Sequence, residues 1–281
     1  MRHLPVPGTH HVKVGNHTIV QILDGCLHHA PAQAFFGINA PQSEFDAYSA
    51  ERGVSTRQFV FPVTVTLIRS HGRNILVDAG NGPGSRWRVG FLSHSLTQLG
   101  LETGDIDTVI ISHMHPDHIG GLLDEKGHLV FANAQHIISR TECGYWLDGP
   151  PNGARTALPL ELIEILGERL VLREPGAEVS PGVTLIDSAG HTPGHLCVAV
   201  ESKNERLLIA SDVANHPVWA IEKPDWHMSL DVDPALAATS RRRILGQVAD
   251  EHWLMAATHM TFPALGRVER MGDGFRYLPI G

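Results

Sequence analysis

Paired cysteines, long apolar runs and an excess of positive charge are all missing from this sequence of 281 residues. Its three cysteines, Cys26, Cys143 and Cys197, lie far apart and form no Cys-x-x-Cys pair. An odd and scattered set predicts no disulfide framework and is typical of a reducing compartment. No segment approaches the roughly 18 apolar residues of a membrane-spanning helix. The N-terminal stretch also lacks the apolar core of a secretory signal, so we expect a cytoplasmic location and no membrane partner.

Positive charge is scarce, because 30 acidic residues outnumber 22 lysines and arginines and the formal net charge is -8. Nucleic acids favour proteins with a basic face, so no nucleic-acid partner is expected. Arg241, Arg242 and Arg243 form the only tight basic run. We interpret this run as the solvent-exposed face of a helix.

Two familiar catalytic signatures are absent as well. The sequence contains no Gly-x-Ser-x-Gly, the turn that presents a nucleophilic serine in many hydrolases. Its glycine-rich segment 80–84 lacks the Lys-Ser/Thr end of a phosphate-binding loop. Histidine, in contrast, is abundant, with 19 copies. Metal chemistry is therefore a better starting hypothesis than serine or phosphate chemistry.

Short apolar runs alternate with turn signals in both halves of the sequence. We predict strands at 17–25, 107–113, 135–140, 183–188, 196–202, 206–212 and 252–259, and a hairpin at 63–80. Helices are predicted at 116–123 and at 233–251, where Asp233 can cap the first turn and Pro234 can open it. Two strand-rich halves that each carry helices predict a four-layer αββα sandwich, of class α/β, in a single domain over residues 1–281.

The segment 26–62 is long and rich in phenylalanine. It could serve as a flap over a site or as the contact of a homodimer. A loop packed onto the core is an equal alternative.

The stretch His-Met-His-Pro-Asp-His at 113–118 crowds four groups that bind metals or protons. His113 and His115 alternate along an extended segment, so both imidazoles can face one ion. Asp117 and His118 follow where the chain turns into a helix, and they could serve a second ion. Imidazole nitrogen with carboxylate oxygen is a donor set that suits zinc.

Three further candidate ligands each end an apolar run later in the sequence. His191 lies in a Gly/Pro-bounded loop after strand 183–188, Asp212 ends strand 206–212, and His259 ends the last predicted strand. A single histidine after a strand is more often structural than a ligand. Together with the 113–118 motif and in this order, the three predict a site for two metal ions.

This set of motifs resembles the metallo-β-lactamase superfamily over nearly the whole chain. The matching elements are His-x-His-x-Asp-His, Gly-His-Thr-Pro-Gly-His at 190–195, Ser-Asp at 211–212 and the late Thr-His at 258–259. The resemblance implies that His113, His115 and His191 hold the first metal and that Asp117, His118 and His259 hold the second. It further implies that Asp212 bridges both and that Asp78 lies beneath the site and orients ligands. The cofactors are then two divalent ions, zinc first, with manganese, iron or cobalt as alternatives.

The sequence differs from several branches of the superfamily, and these differences limit which branch it resembles. Class B β-lactamases generally lack a bridging aspartate at the position of Asp212. Flavodiiron proteins usually carry a carboxylate where His115 stands and have an added flavin domain. The superfamily's nucleases have a basic surface, and glyoxalase II enzymes have a longer helical C-terminal region. The segment 258–280 instead resembles the branch of acyl-homoserine lactonases and methyl parathion hydrolase.

The function implied is hydrolysis of a small neutral ester or lactone by a hydroxide that bridges two metals. Asp117 could also carry a proton to the leaving group, and a plain ligand role is equally open. A phosphotriesterase or arylesterase is the alternative within enzymes. An iron redox protein and a non-catalytic metal-binding protein are the alternatives outside hydrolysis.

Other conspicuous side chains carry weaker signals. Trp146 and Trp219 could line an apolar substrate pocket, although a core position is as good an interpretation. We interpret His195 as a packed loop histidine and Cys197 as a small buried apolar residue. The remaining early histidine pairs are interpreted as surface or loop residues: His10, His11, His28 and His29.

Overall fold

A computed structural model describes residues 8–83, 89–149 and 157–280 of the protein. The first of two sheets takes its seven strands in chain order. They are β1 (Thr9–Val14), β2 (His17–His29), β3 (Phe59–Ser70), β4 (Arg73–Val77), β5 (Thr108–Ile110), β6 (Gln135–Ser139) and β7 (Leu170–Arg173). Strands β1 to β4 are antiparallel, and β4 to β7 are parallel. The predicted hairpin at 63–80 is confirmed as β3 and β4, joined by His71 and Gly72 with positive φ angles of 50° and 77°.

The second sheet also has seven strands and runs in the order β14 to β8. Its strands are β8 (Glu178–Ser180), β9 (Val183–Asp187), β10 (Leu196–Ser202), β11 (Glu205–Ile209), β12 (Leu254–Ala256), β13 (Leu265–Met271) and β14 (Gly274–Pro279). Only β11 and β12 pair in parallel within this sheet. Parallel neighbours need a long crossover connection, and a helix supplies it here.

Six α-helices accompany the sheets in the described ranges: α1 (Gln42–Glu51), α2 (Leu92–Gln98), α3 (Pro116–Ile119), α4 (Arg140–Asp148), α5 (Ala157–Leu166) and α6 (Pro234–Asp250). Helix α6 connects β11 to β12, and it confirms the helix predicted at 233–251. The Asp233 carboxylate accepts the Leu236 N–H at 3.0 Å, and Pro234 occupies the first turn. None of these helices has the length and apolar character needed to cross a lipid bilayer.

Three separate apolar cores show how the layers are stacked. One core joins the facing sides of the two sheets, with Ile68 and Ile110 on one side and Val198 and Ile209 on the other. A second core lies between the first sheet and helices α2 to α5. A third lies between the second sheet and helices α1 and α6. Three cores separate four layers, so the predicted αββα arrangement is confirmed.

The segment 26–62 contains the end of β2, helix α1 and the start of β3. Phe36, Phe45, Phe59 and Phe61 are all buried, and they pack into the third core. These four side chains pack onto the core, as one of the alternatives expected, and a flap or dimer contact of this segment stays a prediction.

The basic run 241–243 contradicts one of our predictions. Arg241 is fully buried, whereas Arg242 and Arg243 reach the surface. The Arg241 guanidinium donates to the carbonyl oxygens of Val213, Pro224 and Trp226 and to the Asp231 carboxylate. A buried charge is tolerated when it is paired and hydrogen-bonded, and these contacts are the reason why Arg241 turns away from the solvent-exposed face of α6.

Candidate metal centre

The ends of four strands bring all seven predicted ligand side chains together. The 113–118 motif follows β5, the 188–195 loop follows β9, Asp212 follows β11 and His259 follows β12. The ligand atoms form two groups, and within each group they lie within 4.8 Å of one another. The first group is His113, His115, His191 and Asp212, and the second group is Asp117, His118 and His259.

Asp212 lies between the two groups. Its Oδ2 is 3.3 Å from Nε2 of His191 in the first group. Its Oδ1 is 3.1 Å from Nε2 of both His118 and His259 in the second group. One carboxylate therefore faces both groups, which is the position that a bridging ligand needs.

Neighbouring acceptors determine which nitrogen of each imidazole faces the centre. Nδ1 of His191 contacts the Asp231 carboxylate at 2.9 Å, and Nδ1 of His259 contacts the Pro62 carbonyl at 2.7 Å. Carbonyl and carboxylate oxygens only accept, so each Nδ1 carries the hydrogen and donates it. With its hydrogen on Nδ1, each ring turns Nε2 toward the centre, which is the nitrogen that a metal ion would bind.

Asp78 orients two more rings from below. Its Oδ2 accepts from Nδ1 of His118 at 2.8 Å and from the Ser112 hydroxyl at 2.7 Å. The Ser112 hydroxyl has used its hydrogen, so it accepts the Nδ1–H of His113 at 3.0 Å. Asp78 has a φ of 64°, which brings its carboxylate under both rings. Asp78 is therefore placed to hold His113 and His118 together.

Three atoms at the centre are buried without a hydrogen-bond partner: Nε2 of His118, Nε2 of His259 and Oδ1 of Asp212. A buried polar atom without a partner costs about 1–3 kcal/mol, so a cluster of three needs an explanation. A divalent cation would satisfy all three at once. The donor set of imidazole nitrogens and carboxylates fits such an ion.

The burial of the histidines and the charge of the nearby carboxylates both favour the binding of a cation at this centre. Burial, together with neighbouring imidazoles, lowers the pKa of His113 well below its usual value and that of His115 to about 3. These two rings are neutral near pH 7 and keep their lone pairs free. Burial would also lower the pKa of His118, but the Asp212, Asp117 and Asp78 carboxylates outweigh it and raise that pKa. The same carboxylates would stabilise a metal ion at this point.

Replacing Asp78 with asparagine should weaken metal binding without removing a ligand. The amide nitrogen would face a hydrogen-bond donor, so His118 would lose its fixed orientation. We expect metal affinity to fall by about 10–100-fold, the usual loss for an outer partner of a ligand. Chelator competition with Zn²⁺ measures this, and both sites should still fill at excess metal. A variant that never binds a second ion would show that Asp78 is itself a ligand.

The sequence patterns did not predict several residues around the centre. Asp231 holds His191, and Ser112 links Asp78 to His113. His195 is buried as a packed histidine would be, and its Nε2 also accepts the Asp212 backbone N–H at 3.2 Å. Ser112 stands directly before the 113–118 motif, and this position could have identified it from the sequence. Nothing local in the sequence marks Asp231, which contacts a ligand 40 residues away.

A cavity of about 210 Å³ opens beside Asp117. Most of its wall is apolar and comes from the segment 26–62 and the 228–230 stretch, including Leu27, Phe35, Phe36, Phe59, Phe61 and Met228. The Phe61 ring stacks on the ligand candidate His259 with centroids 3.6 Å apart. The apolar wall is therefore continuous with the second group.

His29 was interpreted as a surface or loop residue, but it ends β2 and lines this cavity. Its ring packs against Phe35 and Phe59, with centroid distances of 4.7 and 5.6 Å. Burial lowers the pKa of His29. His10 and His11 lie on β1, and His28 is exposed near the end of β2.

The two candidate tryptophans are both buried. Trp219 has no exposed surface, stacks on His216 at 4.0 Å and packs behind Phe36 and Phe59. It supports the cavity wall from the core, as one of the two interpretations expected, and a direct contact with a substrate stays a prediction. Trp146 is 5% exposed, and its indole N–H donates to Glu142 at 2.8 Å.

Comparison with known proteins agrees with this architecture. An N-acyl homoserine lactonase of Bacillus thuringiensis is 30% identical over 156 residues, which cover 56% of this chain and 56% of that protein. The N-acyl homoserine lactonase AiiB of Agrobacterium fabrum is 30% identical over 196 residues, with 57% and 65% covered. A probable metallo-hydrolase of Mycobacterium bovis, Mb2322c, is 27% identical over 194 residues, with 54% and 56% covered. The chain thus spans between 56% and 65% of the length of these curated relatives.

Solved structures match over almost the full length of the chain. AidC, described as a dizinc quorum-quenching lactonase in complex with a product, is 26% identical, with a TM-score of 0.91 and 98% of each chain covered. The hydrolase AbOPH is 23% identical, with a TM-score of 0.87 and 99% of each chain covered, which shows the fold alone. The family model for the metallo-beta-lactamase superfamily matches residues 59–259. With this match over most of its length, and with both sheets and the ordered ligand motifs in place, the chain belongs to the metallo-beta-lactamase superfamily.

Proposed function

We propose that this protein is a hydrolase that uses two divalent metal ions, with zinc as the first choice, to open small neutral lactones. N-acyl homoserine lactones are the leading class. The observation that carries this proposal is the apolar, aromatic cavity that opens onto Asp117, directly beside the two ligand groups. Lactonases among the relatives and the structural neighbour AidC support it.

The lining of the cavity favours a neutral substrate with a hydrocarbon part. Asp117 is the only acidic residue, and neither lysine nor arginine occurs, among the described residues that line it. A substrate carboxylate would therefore find no cationic side chain among these described residues. An acyl chain would instead gain about 0.8 kcal/mol for each methylene that it buries against the aromatic wall.

His29 offers a polar contact inside this wall. Its ring nitrogens have no hydrogen-bond partner among the described residues, and the ring borders the cavity. A neutral imidazole can either donate to a carbonyl oxygen or accept from an amide N–H. An acyl amide next to a lactone ring presents both groups, so His29 suits this substrate class.

The reaction joins the oxygen of water to the lactone carbonyl carbon and breaks the ring C–O bond, which gives a carboxylate and a hydroxyl group. When bound, the metal ions supply Lewis acidity, which polarises the carbonyl and lowers the pKa of the attacking water to about 7. Asp231, Asp78 and the Pro62 carbonyl keep the histidine ligands oriented throughout. The chain thus provides a rigid set of donors that needs no rearrangement during the reaction.

Asp117 is placed to handle the proton of the leaving group. Its Oδ2 is 3.4 Å from Nε2 of His259 and 3.7 Å from Nε2 of His118. It is also the ligand candidate that borders the cavity. We propose that Asp117, which would bind the second metal, takes the proton that the attacking water gives up and delivers it to the ring oxygen as the C–O bond breaks.

Lactones should be hydrolysed faster than β-lactams. A β-lactam has a nitrogen leaving group and, in penicillins, a carboxylate for which the described residues that line the cavity offer no cationic side chain. We expect kcat/KM for N-hexanoyl homoserine lactone to exceed that for penicillin by at least about 100-fold, or about 2.7 kcal/mol at the transition state. The measurement is a steady-state panel at saturating metal that includes a simple γ-lactone, an aryl ester and a phosphotriester.

The panel also separates the alternatives. A phosphotriester well ahead of every lactone would favour a phosphotriesterase, and penicillin turnover equal to the best ester would refute the lactonase proposal. Metal analysis in the same preparation distinguishes an iron redox protein, which would contain iron and consume oxygen.

A further inference from the structure

Glu142, on helix α4, is a fully buried carboxylate that is neither a ligand candidate nor part of the cavity lining. Its Oε1 accepts the Met114 backbone N–H at 3.1 Å and the Trp146 indole N–H at 2.8 Å. Its Oε2 accepts the Gly194 backbone N–H at 3.1 Å. Both oxygens of this buried group therefore accept hydrogen bonds, and two of these donors are backbone amides.

The two backbone donors belong to the two loops of the first group. Met114 stands between the ligand candidates His113 and His115, and Gly194 stands three residues after His191. These loops are about 75 residues apart in sequence and come from different sheets. A single carboxylate thus ties the 113–118 motif to the 188–195 loop.

The close approach of Gly194 to α4 supports this role independently. A Cβ atom at Gly194 would collide with the Glu142 backbone nitrogen and with the Ser139 hydroxyl, which caps α4. Only glycine allows the 188–195 loop to come this near. The loop is therefore docked onto the helix terminus that carries Glu142.

We propose that Glu142 is a positioning residue that holds the histidines of the first group at the spacing required for a metal ion. With both loops held by Glu142, Nε2 of His113 and Nε2 of His191 each lie 3.0 Å from Nδ1 of His115. Without the tie, His191 would be free to move away from His113 and His115. The inference rests on the proposed metal centre and adds a residue that acts on it through the backbone.

Glu142→Gln tests the tie with little change in volume. The glutamine side chain has a single acceptor oxygen. That oxygen can accept either from Met114 and Trp146 or from Gly194, so one of the two loops loses its hydrogen bond. We expect one of the two stepwise Zn²⁺ affinities, measured by chelator competition, to fall by about 10–100-fold. The other step should change much less. The absorption spectrum of the Co²⁺-loaded protein should also change, because the geometry of one ligand set is altered.

Trp146→Phe is the matched control, because it removes a Glu142 donor that belongs to neither loop and keeps an aromatic ring beside His115, whose centroid lies 6.3 Å from that of Trp146. It should destabilise α4 yet leave both Zn²⁺ affinities and the Co²⁺ spectrum as in the wild type. Glu142→Asp keeps the charge but shortens the reach, and it should show a smaller loss at the same binding step. It serves as the test if the glutamine variant does not fold.

The outcomes separate this inference from the proposed function. A wild type that binds two ions, together with unchanged affinities in Glu142→Gln and Glu142→Asp, would overturn the role of Glu142 alone. An equal loss in Trp146→Phe would reduce Glu142 to general support of α4 and also overturn it. A wild type that binds no metal would overturn the metal centre itself.

Discussion

Asp212→Ala should leave the protein with fewer than two metal ions and lower its kcat/KM for lactones by more than about 100-fold. Asp212 is the one side chain whose two oxygens face different ligand groups, His191 on one side and His118 and His259 on the other. Its removal also leaves the three histidines of the first group without a carboxylate to balance a divalent charge. Losing an outer partner of a ligand typically costs 10–100-fold, and a shared ligand should cost more.

Elemental analysis of protein purified without chelator measures the first effect, and steady-state kinetics at added metal measure the second. Glu174→Ala is a suitable control, because Glu174 is an exposed carboxylate that pairs only with Arg140 on the surface. It should keep two equivalents and wild-type kinetics. A wild type with a single equivalent that Asp212→Ala does not change would refute the dinuclear centre.

Arg241→Met should lower the free energy of unfolding by about 3–5 kcal/mol, the usual cost of breaking a buried ion pair. The guanidinium has no exposed surface, and it satisfies three carbonyl oxygens together with Asp231. Methionine fills similar space but leaves the buried Asp231 carboxylate without its cation. Urea unfolding of the metal-free protein measures the loss, with the slope of the transition as a check on two-state behaviour.

The adjacent arginine is the control. Arg242 pairs with Asp225 at the surface, where such pairs contribute about 1 kcal/mol or less, so Arg242→Met should have a small effect. Arg241→Met should also weaken Zn²⁺ binding, because Asp231 holds Nδ1 of His191. Equal stability losses in the two variants would contradict the assigned burial of Arg241.

Local patterns in the sequence were sufficient for the family, the layer architecture and the order of the candidate ligands. Apolar runs of strand length, the cap at Asp233 and the hairpin at 63–80 depend on contacts between near neighbours, so they can be predicted without a structure. The 113–118 motif is equally local. The later candidates His191, Asp212 and His259 follow strands, and strand ends on one side of a sandwich converge.

Only the tertiary structure decided which of several similar residues are buried and what they contact. Arg241, Arg242 and Arg243 are identical in type, but only the first turns inward. Asp231 and Asp233 stand two residues apart, and one orients the candidate ligand His191 while the other caps a helix.

The roles of Glu142, His29 and Trp219 depend in the same way on partners that are remote in sequence. Glu142 meets Gly194 across 52 positions, and Trp219 donates to Ser49 across 170. His29 lines the cavity because β2 continues beyond its predicted end and meets β3 there. Burial and hydrogen bonding at such positions arise when distant segments pack together. A pattern of a few neighbouring residues predicts which helix or strand forms, but not the part of the protein against which that element packs.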